Sequence, residues 1–199
     1  EDGMALEYAP ADLKADREVV LEAISVRSNA FRYADAALRR NRDFVRQAVS
    51  QNGDALEYAA DSLKADREVV LQAVKTHGWA LEYAADMLKT DQEVVLEAIK
   101  NSCIGDETFK CADAALKRDK DFVLQAVKAR GGALKHAADT LKTDREIVLE
   151  AVKTYGEALE HAADTLKTDR EIVLEAIKHS WNEGEAFEYA DAALKRDKD

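Results

Sequence analysis

The chain has 199 residues, 47% of them hydrophobic and 35% charged, with a formal net charge of −11. An acidic surface of this kind repels phosphate backbones and anionic bilayers, which argues against general nucleic-acid binding and against membrane adsorption. A single proline, a text rich in Ala, Leu, Glu and Lys, and no alternating β-type stretch exclude a strand-based fold.

The organising feature is an internal period. A small residue followed by Leu or Phe recurs at Leu6, Phe31, Leu56, Leu81, Phe109, Leu134, Leu159 and Phe187, with spacings of 25, 25, 25, 28, 25, 25 and 28 residues. A fixed short period marks a stacked array whose units cannot bury their apolar faces alone. The expected fold is all-α, an α-solenoid of about eight short helical hairpins in an open superhelix. The units fall near 3–28, 29–53, 54–78, 79–106, 107–131, 132–156, 157–184 and 185–199, the last truncated.

Within each unit the expected elements follow the text of 53–78, GDALEYAADSLKADREVVLQAVKTHG. Gly53 reads as a left-handed cap ending the preceding helix. A first helix runs from about Asp54 to Lys64, with Leu56, Ala59 and Leu63 on one face. The column of Ala60 holds Pro10 in unit 1 and Asp35, Asp113 and Asp191 in the Phe units. Proline suits a first turn and aspartate an N-cap, so this helix is expected to split into two pieces there.

Asp66 is the expected N-cap of the second helix, with Asp16, Asn41, Asp91, Asp119, Asp144 and Asp169 in the same column. Val69, Val70, Leu71, Ala73 and Val74 make that helix apolar over most of its circumference, so it should pack against its own first helix and both neighbours. Units 2, 5 and 8 share a variant text, FRYADAALRRNRDFV at Phe31, FKCADAALKRDKDFV at Phe109 and FEYADAALKRDKD at Phe187. Their 78-residue spacing reads as duplication of a three-unit block, or as matching a partner that repeats along the same axis. The expansions NSCIGDET and HSWNEGEA precede the second and third of these anchors and are expected to bulge from one edge.

Few residues break the repeat. His136 and His161 replace Tyr in one column of adjacent units, and no Asp or Glu in that column completes a metal set. Arg17, Arg67, Arg145 and Arg170 stand beside Glu18, Glu68, Glu146 and Glu171, a pattern of solvated ion pairs or of a charge ladder that reads a partner. Cys111 takes the Tyr column and Cys103 lies in an insertion; two cysteines without a framework fit a reducing compartment. Trp79 and Trp181 stand at the loop edge, either folded over gaps between units or exposed as partner anchors. Trp79, Trp181, His179 and Glu183 are the candidate partner-binding residues. No phosphate loop, glycine fingerprint, zinc-helix motif or nucleophile elbow is present, so no catalytic residue, cofactor or metal ligand is assigned.

The texts ALEYA, LKADREVVLQAV and LKTDREIVLEAV, together with WALEYA at 79–84, resemble the tandem-repeat family catalogued as domain of unknown function 4116. The resemblance spans the whole chain and implies no established activity. The expectation is a noncatalytic scaffold that binds a protein partner or sits in a larger protein assembly, as part of a longer chain. It is expected to bind no nucleic acid and insert in no membrane, and to be intracellular, in cytoplasm or organelle. The alternative is a small-molecule or metal binder using grooves between repeats.

Overall fold

A computed structural model describes residues 3–102 and 107–180. Every regular element among them is helical. The chain divides into two compact bodies, Glu1–Ile104 and Gly105–Asp199. The first contains repeats 1–4 and the second begins with repeat 5.

In the first body, repeat 3 shows how a unit is built. A 3-10 helix spans Gly53–Tyr58, a short α-helix Asp61–Lys64 and a long α-helix Arg67–Thr76. Between the first two pieces, Ala59 and Ala60 are extended, with ψ of 156° and 149°. The first helix is therefore split at the expected column. The cause lies partly in the neighbouring repeat. The extended conformation turns the Ala60 N–H away from its own helix to donate to Arg39 O of repeat 2, at 3.0 Å. Asp35 N does the same to Lys14 O at 2.9 Å, and Ala85 N to Lys64 O at 2.9 Å. A buried N–H needs an acceptor, and here the preceding repeat supplies it. Pro10 occupies this column without an N–H to give.

The second body repeats the device, with Ala138 N donating to Lys117 O at 2.8 Å and Ala163 N to Lys142 O at 3.0 Å. Its described elements include Ala114–Arg118, Lys120–Ala129, Gly131–His136, Arg145–Thr154, Gly156–His161 and Arg170–Lys178. The short helix is a run of turns at 139–143 and 164–168. In repeat 4 of the first body it is 3-10, over Asp86–Thr90. These three repeats share a threonine at its end. Thr90, Thr143 and Thr168 each donate Oγ1 to the carbonyl three residues back, at 2.7, 2.7 and 2.8 Å. That bond competes with the α-helical pattern and tightens the turn. Ala15, Arg40 and Arg118 stand at this position in repeats whose short helix is α.

The expected N-cap column holds in every repeat whose long helix lies among the described residues. Asp66 Oδ1 accepts from Glu68 N at 3.0 Å and Val69 N at 3.2 Å. Asp16, Asn41, Asp91, Asp119, Asp144 and Asp169 cap their long helices in the same way. Such caps satisfy N–H groups that have no partner inside the helix, each worth about 1 kcal/mol.

The long helices form the core. Val69, Val70, Ala73 and Val74 are fully buried, because Arg67–Thr76 packs on its own 3-10 helix, on the next one, and on the long helices Arg42–Gln51 and Gln92–Lys100. Arg145–Thr154 is surrounded equivalently in the second body. The Phe repeats place a ring from each piece together, Phe31 with Phe44 at 5.8 Å and Phe109 with Phe122 at 6.0 Å between centroids, both tilted.

The glycine expectation is corrected. The helix before Gly53 ends at Asn52 in extended backbone, φ −148° and ψ 107°, and none of Gly53, Gly78, Gly131 and Gly156 is left-handed. Each is required by close approach instead. A Cβ would lie 2.4 Å from Ala73 O at Gly53, 2.1 Å from Ala98 O at Gly78, and 2.2 Å from Ala151 O and Ala176 O at Gly131 and Gly156. The glycine lets the start of each unit seat against the end of that unit's own long helix.

Candidate functional site

The repeated charges join one repeat to the next. In the first body, Arg42 reaches the N-cap of repeat 3, Nε to Asp66 Oδ2 at 2.6 Å and Nη2 to Glu68 Oε2 at 2.7 Å. Arg67 pairs with Asp91 at 2.8 Å and also with Glu93. In the second body, Lys120 Nζ lies 2.7 Å from Asp144 and 3.4 Å from Glu146, and Arg145 lies 2.8 Å from Asp169 and 2.5 Å from Glu171. The cation at the first position of one long helix thus bridges two carboxylates of the next. Hydrogen bonds from these cations, more than the backbone N–H groups of the caps, hold Asp66, Asp91, Asp144 and Asp169 below the usual carboxylate range.

Arg17 departs from the pattern because the next cap is the neutral Asn41. Its guanidinium lies over the Phe44 ring at 4.9 Å and donates to Gln47 Oε1 at 3.2 Å.

The tyrosine column also joins neighbours. Tyr33 OH donates to Glu7 Oε2 at 2.8 Å. Burial, assisted by Glu57, pushes Tyr58 and Tyr83 up to about 12. In the second body His136 takes this position with its side chain 14% exposed, and its Nε2 is 3.8 Å from Glu107 Oε1. Burial pushes His136 down despite that carboxylate, which is itself bound by Lys135 Nζ at 2.7 Å. His161 is half-buried in the same column, as is Cys111. Among the described residues no group of three or more His, Cys, Asp or Glu side chains is placed to hold a metal. Cys103 lies outside the described residues.

The four candidate partner residues are not brought together. Trp79 is the second residue of the 3-10 helix Gly78–Tyr83 in the first body and is half-buried. The equivalent position points back at the end of the unit's long helix in two other repeats. Asp54 Oδ2 lies 3.3 Å from His77 Nδ1, and the buried Glu157 accepts from Ser180 Oγ at 2.7 Å. His179 belongs to the second body, exposed at the end of Arg170–Lys178, with Nε2 3.1 Å from Glu175 Oε1. Trp181 and Glu183 lie outside the described residues.

The surface that sequence reasoning passed over is in repeat 2. Arg39 and Arg40 line a small cleft with Tyr58 of repeat 3. The available signal was a charge count taken repeat by repeat, which the chain-wide value of −11 conceals.

No described helix is long and apolar enough to cross a membrane. No curated protein and no solved structure matches the chain. The family model described as Domain of unknown function (DUF4116) matches residues 1–39, 41–89, 66–117, 91–142 and 144–195. Together these segments take in nearly the whole length, and the chain is a tandem-repeat member of the DUF4116 family.

Proposed function

We propose that this chain is a noncatalytic helical repeat scaffold that binds protein within a larger assembly. The observation that carries the reading is what remains once the repeats have joined each other. Backbone bonds, apolar side chains and the charge rungs are turned toward neighbouring repeats. The outer sides of successive long helices are left as an open polar groove, lined by Asp43, Arg46, Gln47 and Ser50 of repeat 2 and Gln72 of repeat 3. A wide polar groove on a rigid helical frame suits a protein surface better than a small apolar ligand, which takes an enclosed pocket.

The test uses the whole chain as bait in native extract. Each retained protein is then purified and run with the chain on size exclusion. Co-elution that is weakened by Arg46→Glu with Gln72→Glu supports the reading. Failure of every retained protein to co-elute, or co-elution untouched by groove substitutions, refutes it.

A further inference from the structure

Repeat 2 reverses the charge of the chain. It carries arginine at 32, 39, 40, 42 and 46, against the carboxylates of Asp35 and Asp43. Arg42 is used in the rung to Asp66 and Glu68. Arg32 lies over the Tyr33 ring at 4.5 Å. The side chains of Arg39 and Arg40 have no hydrogen-bond or ion-pair partner among the described residues, and Nε of Arg39 is buried without an acceptor. A buried guanidinium nitrogen without an acceptor is costly, and an oxygen acceptor from outside the chain would offset that cost.

The cause is a one-residue shift of an aspartate. In four of the five Leu repeats the cation of the Arg39 column has a carboxylate three residues earlier; in repeat 1 that position is Ala11, and Lys14 donates to Glu7 O at 2.9 Å. Lys64 lies 4.0 Å from Asp61 and Lys89 3.3 Å from Asp86, while Lys142 lies 3.0 Å from Asp139 and Lys167 3.4 Å from Asp164. In repeat 2 that position is Ala36. The aspartate stands one place earlier, at Asp35, where it caps the short helix by accepting from Ala37 N at 2.7 Å. Repeat 5 has the same shift, but its cation is Lys117, which donates instead to Lys110 O at 2.7 Å. Repeat 2 therefore has neither the internal carboxylate nor the lysine that turns back to the chain. The cleft beside Ala36 is lined by Arg39 and Arg40 and, from repeat 3, by Tyr58, Ala59 and Ala60.

We infer that this cleft binds a carboxylate presented by an acidic segment of a protein partner. Arg39 and Arg40 supply the charge, in the fork geometry that matches a carboxylate. Tyr58 of repeat 3 closes one side of the cleft. A nucleic acid is the poorer fit, because a chain of net charge −11 repels a long polyphosphate, whereas a short acidic segment needs only local contact within roughly 8–10 Å. The inference gives partner chemistry to the scaffold reading and rests on it.

The test is fluorescence anisotropy of a fluorescein-labelled hexaglutamate peptide, titrated with the full chain at about 0.05 M salt, where exposed charge pairs are weakly screened. The expected result is saturable binding that falls about tenfold in Ala36→Asp, which restores the internal carboxylate of those Leu repeats, and about tenfold in the double variant R39Q/R40Q. Circular dichroism checks that both variants fold; aspartate suits the first turn at position 36. Lys128→Gln, an exposed cation in the second body, should leave binding unchanged. No saturation with the wild-type chain, equal binding by Ala36→Asp, or tighter binding of a single-stranded oligonucleotide than of the peptide overturns the inference. A native partner retained equally by wild type and Ala36→Asp also overturns it, while leaving the scaffold reading intact.

Discussion

Gly78→Ala separates packing from helix propensity. In an unconstrained helical position, alanine is favoured over glycine by about 1 kcal/mol. At Gly78 the added Cβ would lie 2.1 Å from Ala98 O, 2.7 Å from Ser102 N and 2.9 Å from the carbonyl carbon of Asn101, where ordinary contact begins at 3.4 Å. All three atoms are backbone, so no flexible side chain can swing aside. Gly78 N also donates to Asn101 O at 3.1 Å, and that bond fixes the separation. Relief requires the 3-10 helix Gly78–Tyr83 to lift from the end of Gln92–Lys100, loosening Ala80 and Leu81, both fully buried. Overpacking of this kind costs about 1–3 kcal/mol, so the clash should outweigh the propensity gain. For a body of roughly 100 residues, a loss of about 1 kcal/mol lowers the melting midpoint by about 4–8 °C. Thermal and urea unfolding followed by circular dichroism, with the half-buried Trp79 as a fluorescent reporter one residue away, measure the effect. Ser28 occupies the same column in repeat 2, but it is half-buried while Gly78 is buried, so that seat is looser. A midpoint equal to or above wild type, with an unchanged urea slope, would refute the close-approach reasoning.

Three other outcomes are expected. Asp66→Ala removes both the cap and the rung to Arg42 and should cost about 1–2 kcal/mol, whereas Asp66→Asn keeps a capping oxygen and should cost less than about 1 kcal/mol; equal losses in urea unfolding would show that the cap is not the main contribution. Phe44→Ala empties a fully buried site against Phe31 and should cost about 3–5 kcal/mol, read as a fall in urea midpoint, and a loss under about 1 kcal/mol would contradict the packing described. The depressed carboxyls of Asp66, Asp91, Asp144 and Asp169 contribute stability that is present above their unfolded value near about 3.9 and is lost as pH falls through their lower folded values. His136, held neutral by burial, adds an earlier step: stability is complete above about 6.5 and declines below it, because the unfolded imidazole takes up the proton first. Melting midpoints across pH 3 to 8 on the order of one-unit steps would show both, and His136→Gln should remove only the upper one.

Much of the local structure was legible in the text because its causes are local. The N-cap column, Asp16 through Asp169, needs only a side-chain oxygen within reach of the next two or three N–H groups. The split first helix was readable from Pro10 and the aspartates, although its full cause was not, since Ala60 carries no breaking side chain and responds to Arg39 O in another repeat. Repeated Arg and Glu columns were visible, but not that Arg67 crosses to Asp91. The candidate site was less legible. Trp79 was singled out for its residue type, while the position of its side chain depends on the unit's far end. Arg39 and Arg40 were missed because an isolated arginine pair looks ordinary until its expected carboxylate is found displaced to Asp35.

The amino-acid sequence alone determined the repeat, its length, its helical character, the caps and the family. Those follow from period and from interactions between residues a few places apart. The tertiary structure decided what depends on atoms some twenty or more residues away: the glycine seats, the rungs between N-termini, the backbone bonds from one repeat to the next, and which cations remain without a carboxylate. Steric contact and charge pairing at such separations are properties of how repeats meet, and a single repeat's text does not contain its neighbour's position.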